Sequence, residues 1–436
     1  MPTLETVNII SLIASVLLFV AGIFKPVFMP LSYMVCLYSN LPYHFKFLYE
    51  IRYEPIIAIA GFIRVLVAKD ALKRISIRYD KINLYLFYFV LTIALSFSLA
   101  MNYKTSWEGT IYDFIGVLLL YMMMLMSVND EKNIRIFIWG YILVFAFLAY
   151  EPFYYYFTGN KIAFAKLEQY GTVYKGRVGF LSGHVAMGNN MNQMIPIALF
   201  AMMSIRSKLL KIPAAIPLVI FFTGLLITKS RGGVVGFMFL IALLVYFSKN
   251  RWRNGIIGGF LILLLLVTSG DFLSTLGRIS SGAAEGRLQG FYHGVEMLLK
   301  GRIFGVGPGC YSFARGYYFG YTLEAHNVYG EIIGDLGIPG AIAACFLLWR
   351  VIKNNVEILS KLKTANNERS FLYYTTMGIH ISLLLRLFVS LASHGIYIFH
   401  WYFVAATSII IGKLTLNLSE RNATDNKMIE PIKKIK

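Results

Sequence analysis

Residues 212–247 read IPAAIPLVIFFTGLLITKSRGGVVGFMFLIALLVYF. Two apolar runs, 212–229 and 231–247, meet at the charged step Lys229-Ser230-Arg231-Gly232 with almost no loop between them. Each run approaches the roughly 20 residues a helix needs to cross the hydrocarbon core of a bilayer. Lipid offers no water to a backbone amide, so such runs must satisfy their own hydrogen bonds as helices. Comparable runs lie near 7–24, 27–42, 55–70, 83–101, 109–127, 134–152, 187–204, 255–270, 327–350, 371–392 and 397–413. Lys25-Pro26 is either a turn between two spans or a break within one irregular segment, so the prediction is an all-α, polytopic bundle of 12 or 13 spans.

Composition agrees with this reading. The 436 residues are 57% hydrophobic and 14% charged, against about half and a quarter in soluble domains. No polar interval is long and continuous enough for a separate soluble domain, so residues 1–436 are read as one integral membrane domain. The net charge of +19 does not point to nucleic acid, because Lys and Arg fall between the apolar runs and form no single basic stripe. Cys36, Cys310 and Cys345 have no paired spacing, so neither a disulfide framework nor a cysteine metal site is expected. The first run lacks a basic leader and an A-x-A site, so it is expected to stay as a span.

Basic short loops set the orientation. Lys73 to Arg78, Arg206 to Lys211, Lys249 to Arg253, Lys353 to Arg369 and the tail at Lys433 to Lys436 should be cytoplasmic. Strict alternation of the spans then places the loop 153–186, the Lys229–Gly232 junction and the long loop 271–326 on the other face.

The outer segments carry basic residues despite the topology rule, and among them Arg177, Arg231, Arg287 and His326 are singled out. Any single arginine there can simply bind lipid phosphate. Arg177 stands in Gly176-Arg177-Val178-Gly179, ahead of Gly188-Asn189-Asn190-Met191-Asn192, whose amides either present donors to a ligand or cap the next helix. Arg231 lies so close to hydrocarbon that it needs a partner or a wet cavity. Arg287 begins a segment with Phe291, Val295, Leu298 and Leu299 at helical spacing, read as an amphipathic helix on the membrane surface, with Glu285 as an alternative structural partner.

Gly305-Val306-Gly307-Pro308-Gly309 and then Ala325-His326-Asn327-Val328-Tyr329-Gly330-Glu331 form the sharpest element. A helix is expected to run on from there through Gly334, Gly337 and Gly340, with Gly330 and Gly334 allowing a close neighbour. At its start the helix terminus would keep His326 neutral, either as a base or as an anchor of the helix. His44, His184, His293, His380, His394 and His400 lack metal-ligand spacing and are read as interfacial or hydrogen-bonding residues. Arg64 and Arg386 fall inside spans and should face protein or water, with no catalytic role. The outer segments contain no Asp-x-Asp, Walker loop or serine elbow, so metal dependence is not expected.

At these residues the chain resembles the O-antigen ligase and O-antigen polymerase superfamily. The resemblance is carried by Ser230-Arg231-Gly232, Gly286-Arg287, Gly305-Val306-Gly307 and His326-Asn327 with Gly337-Ile338-Pro339-Gly340, and more weakly by Arg177 with the Asn cluster. It covers about 177–345; the earlier spans are similar only in layout, and Phe24-Lys25-Pro26-Val27-Phe28 looks like relatives from exopolysaccharide and exosortase systems.

The resemblance implies a GT-C-like bundle in the bacterial inner membrane with a helical periplasmic loop. It implies metal-independent, inverting transfer of a glycan from undecaprenyl diphosphate to an acceptor hydroxyl on a lipid A-core, another glycan or a protein, without a cofactor. Arg177 and Arg287 would then clamp the diphosphate, since guanidinium forks bind phosphate oxygens in pairs, and His326 would be the general base. Arg231, Ser230, Asn190, Asn327 and Tyr329 are the expected substrate contacts. Tyr311, Phe313, Tyr317, Tyr318, Phe319 and Tyr321 would form a sugar-stacking wall or an interfacial anchor. A polymerase shares the donor and differs in the acceptor; a glycolipid transporter is the reading from another class, disfavoured because no internal repeat is visible.

Overall fold

The computed structural model describes residues 4–39, 41, 45–68, 80–149, 153, 157–158, 184–228, 230–268 and 283–433. It is all-helical, with no strand among the described residues. The helices are α1 (Leu4–Phe24), α2 (Phe28–Ser39), α3 (Lys46–Glu50), α4 (Tyr53–Leu66), α5 (Lys81–Ser98), α6 (Tyr103–Ser106) and, after a π turn at Trp107–Ile111, α7 (Tyr112–Ser127). They continue as α8 (Glu131–Leu148), α9 (His184–Met203), α10 (Lys208–Thr228), α11 (Arg231–Tyr246), α12 (Arg251–Thr268), α13 (Ala283–Leu299), α14 (Tyr311–Phe319), α15 (Val328–Thr364), α16 (Phe371–Val389) and α17 (Phe399–Lys433).

A helix stands at every apolar run read from the sequence. Among the described residues seven are long and apolar enough to cross a membrane, from Thr6–Phe24 to Phe399–Leu416, and Phe28–Ser39 and Gly232–Tyr246 are shorter apolar helices. The chain is therefore a multi-pass membrane protein. Phe399–Leu416 is the inner member of the bundle, with 78% of its window buried, whereas α1 has 22% buried and presents Leu17 and Phe24 outward. Starts are marked by side-chain caps, with Asp80, Asn102, Asp130, Ser230, Asn327 and Ser370 each accepting a backbone N–H of the first turn. Lys25-Pro26 is a turn between two helices, which are tied back to back by reciprocal bonds between Ser15 and Ser32.

One feature differs from expectation. The helix after His326 does not run on through Gly337. Its φ of 66° and ψ of −161° break α15 there, and a β-carbon at that position would collide with the carbonyl oxygen of Ile303. The chain folds back on the 303–307 turn instead, with Ile338 N donating to the Ile303 carbonyl at 2.9 Å.

The segment read as an amphipathic helix is α13. Its buried face is Gly290, His293, Gly294 and Met297, while the stripe of Leu288, Tyr292 and Leu299 is exposed and Phe291, Val295 and Leu298 are half-buried. The helix packs on the first turns of α15 backbone to backbone. A β-carbon at Gly294 would lie 2.6 Å from the Gly330 carbonyl oxygen, and one at Gly330 would lie 2.8 Å from the Gly290 carbonyl oxygen. Gly330 and Gly334 thus give the close approach expected of them, with the neighbour's own glycines completing it.

Two of the basic turns meet. Lys249 Nζ lies 2.8 Å from Glu368, and Arg135 sits over the Phe371 ring at 4.5 Å. Elsewhere, the ends of α5 and α16 meet the 303–307 turn and the start of α15 through Met101 N to the Val306 carbonyl and Val328 N to the Ser390 carbonyl.

Candidate active site

The site is built on the break in α15. Asp335, fully buried, accepts Gly309 N at 2.7 Å, Tyr311 N at 2.9 Å and the Tyr397 hydroxyl at 3.2 Å. Val306 N and Gly307 N donate to the Gly334 and Asp335 carbonyls. The turn needs its glycines, since Gly305, Gly307 and Gly309 all have positive φ. Sequence reasoning assigned Asp335 nothing. Its signal was a carboxylate one helical turn past Glu331 in an otherwise apolar helix.

A second anchor holds the linker from α14 to α15. Arg315 is completely buried and donates from Nε to His293 Nδ1 at 2.9 Å, from one terminal nitrogen to the Glu324 carbonyl and from the other to the Tyr321 hydroxyl. His293 accepts at Nδ1, so it is the neutral tautomer protonated on Nε2. Burial and then the Arg315 charge hold its pKa below the ordinary value of 6.5. Its ring stacks on Phe319 with centroids 3.9 Å apart.

His326 follows with φ of 52°, a conformation uncommon for any residue but glycine. Asn327 then caps α15, its Oδ1 accepting Gly330 N at 2.5 Å and its Nδ2 donating to the Arg287 carbonyl at 2.9 Å and the Ala325 carbonyl at 3.3 Å. The cap therefore bolts the His326 turn to α13 at the backbone of Arg287. The His326 imidazole, half-buried, has its pKa held below 6.5. Burial is the main cause, then the His394 charge; Arg287 and Arg315 add to it and Glu324 opposes. The neutral ring expected from the sequence is present, with burial rather than the helix terminus as its leading cause.

Arg287, Leu288, Phe291, Asn327, Tyr329, Leu391 and Ala392 line a cleft of about 550 Å³. Arg287, Asn327 and an apolar wall therefore share one cleft between α13, the start of α15 and the segment after α16, and His326 is the residue just before Asn327. Residues 216–345 match the family model for O-antigen ligase.

Over this segment the chain is similar to the O-antigen ligases.

None of the curated proteins matches the chain. The superfamily match supports ligase- or polymerase-type activity and lipid-linked glycan and acceptor substrates in general. It takes in Ser230, Arg231, Arg287, His326 and Asn327, and starts after Arg177 and Asn190. Arg177 and most of the 153–186 loop lie outside the described residues, as does the side chain of Arg231.

The Ser-Arg-Gly step of the ligase segment meets the Asn cluster directly. Asn192 Nδ2 donates to the Gly233 carbonyl at 2.7 Å, and a β-carbon at Gly188 would lie 3.2 Å from Ser230 Cβ. Ser230 is buried and spends its hydroxyl on the N-cap of α11. The Asn residues do not cap α9, because that helix begins at His184 and already contains them; Asn190 is half-buried within it. Tyr329 lines the cleft and donates to the Leu387 carbonyl at 2.9 Å. The aromatic cluster divides. Tyr311 points inward, its hydroxyl on the Gly290 carbonyl, while Phe313, Tyr317 and Tyr321 are exposed. Of the remaining histidines, His394 was read as peripheral, yet its ring lies 5.6 Å from that of His326. No local signal marked it.

Proposed function

We propose that this protein transfers a glycan from undecaprenyl diphosphate to an acceptor hydroxyl on the periplasmic face of the bacterial inner membrane, as an O-antigen ligase. The observation that carries the reading is the cleft lined by Arg287, Asn327 and an apolar wall of Leu288, Phe291 and Leu391, with His326 next in sequence to Asn327. A polyprenyl tail suits the apolar side and a diphosphate suits the guanidinium.

In the reaction the acceptor oxygen attacks the anomeric carbon, the bond from that carbon to the diphosphate oxygen breaks, and the hydroxyl proton passes to His326. Diphosphate is a competent leaving group, so the protein's task is to hold its growing charge and remove one proton. Arg287 takes the first role, together with Arg177; a preorganised donor of this kind is worth a few kcal/mol, roughly 10²- to 10³-fold in rate. His326, neutral because it is buried among positive neighbours, takes the second, worth about 10²- to 10⁴-fold. Arg231 is assigned to the lipid diphosphate.

The test is transfer by purified protein given a defined undecaprenyl-diphosphate glycan and separate acceptors. Arg287→Ala and His326→Ala should lose transfer while accumulating in the membrane, and Arg287→Lys should recover only part of it, having charge without the fork. Product formed with no added acceptor would make the enzyme a polymerase. Lipid translocation without turnover would replace the enzyme reading with transport.

A further inference from the structure

His394 lies in the segment between α16 and α17, beyond the residues 216–345 that match the family. Its ring meets that of His326 edge to face, with centroids 5.6 Å apart and planes at 64°. Backbone hydrogen bonds hold the segments on both sides of the contact. On one side of it, Val328 N donates to the Ser390 carbonyl at 3.0 Å. On the other, Glu331 accepts Gly395 N at 2.6 Å and Ile396 N at 3.2 Å through one carboxylate oxygen, and Trp401 Nε1 donates to the Gly395 carbonyl at 3.0 Å. Each imidazole is thus next in sequence to an anchored residue, His326 to Asn327 and His394 to Gly395, and both anchors belong to the start of α15. His394 is itself exposed, and Leu391 and Ala392 of the same segment line the cleft.

We propose that His394 is a positioning residue for His326, the two imidazoles working as one coupled pair in which His326 serves the acceptor and His394 faces water. The proposal rests on the reading of His326 as the general base. The edge of one ring against the face of the other restricts rotation of the His326 imidazole. A base must point at the proton it removes, and the left-handed backbone at His326 makes its direction depend on such contacts.

The second consequence is electrostatic. A charge on His394 disfavours a proton on His326, as two nearby titrating groups do. Other groups acting on the His326 ring are Arg287 from α13, Arg315 from α14 and Glu324 on its own linker, and Glu331 of α15 binds the backbone beside His394. The two arginines are fixed positive charges, so they set a constant background on which exchange of His394 can be read.

The experiment compares pH–rate profiles of His394→Phe, His394→Lys and His394→Ala with wild type and His326→Ala, using the purified full-length protein with undecaprenyl-diphosphate glycan. His394→Phe keeps a ring edge but removes the charge, so the acid limb should move to higher pH. His394→Lys fixes a positive charge, so the limb should move lower. The Phe and Lys limbs should lie about half to two pH units apart, with wild type between them, for a like charge about 6 Å away. His394→Ala, without ring or charge, should lose about ten- to a hundredfold in kcat with KM for the donor little changed, as expected for a misdirected base.

Wild-type acid limbs in both the Phe and Lys variants, or wild-type turnover in His394→Ala, would overturn the proposal. If the Phe variant does not accumulate in membranes, His394→Gln removes the charge with less change of shape and is read the same way. His326→Ala separates the two readings. An active His326→Ala sinks the assignment of the base, whereas an inactive one beside unshifted His394 profiles sinks only the pairing.

Discussion

At the scale of single residues, His326 combines an uncommon backbone conformation with an imidazole whose pKa lies below 6.5. The sign of the pH effect follows. A base acts when unprotonated, so transfer should hold steady as pH falls from 8 through about 6.5 and decline only below that, checked by initial rates across the range. Stability moves in the same direction. The unfolded chain takes up the proton first, so the contribution of this residue to stability is lost as pH drops from 6.5 towards the lower folded value. Gly337 makes a second test. With φ of 66° and the Ile303 carbonyl against its α-carbon, Gly337→Ala should cost about 1–3 kcal/mol in backbone strain alone, seen as a lower Tm in detergent.

Between elements, the joints that set the cleft are polar and short. Asp335 satisfies two backbone donors and one hydroxyl, so Asp335→Ala strands Gly309 N and Tyr311 N at about 1–3 kcal/mol each. Asp335→Asn should not rescue it, because whichever way the amide turns its NH₂ meets a donor. Both variants should lower Tm and transfer together. The crossing of α13 on α15 has no room for a side chain at Gly290, where a β-carbon would strike the Ala325 carbonyl one residue before His326. Gly290→Val should therefore displace the His326 turn and abolish transfer, with an overpacking cost of about 1–3 kcal/mol. Ser230→Ala removes only a helix cap and should cost about 1 kcal/mol in thermal melts.

For the molecule as a whole, the basic turns holding Lys249 and Glu368 meet, and Tyr317 is exposed on α14 in the long loop. The orientation proposed here makes a direct prediction in a Cys345→Ser background, the other two cysteines being buried. A membrane-impermeant thiol reagent applied from the periplasmic side should label Tyr317→Cys at once and Lys249→Cys only after the inner membrane is broken. The opposite pattern would invert the topology.

Much of this architecture was legible from residue order. Apolar runs such as 212–229 and 231–247 became helices because lipid leaves backbone groups no other partner. The Gly305–Gly309 turn and the Ser230 and Asn327 helix starts were also readable, since backbone freedom and capping depend on neighbours a few residues away. What the sequence hid was the use of those residues. Asn327 and Ser230, read as substrate contacts, also cap helices, and α13 meets α15 through its glycines. Glycines on facing helices let backbones meet, and in a membrane close packing decides association more than apolar area does. Only the tertiary structure put Asp335 under the glycine turn, Arg315 against His293 and His394 beside His326. Hydropathy and capping are local properties of the chain, whereas a cleft is a meeting of side chains far apart along it, and nothing short of the packed bundle states which of them meet.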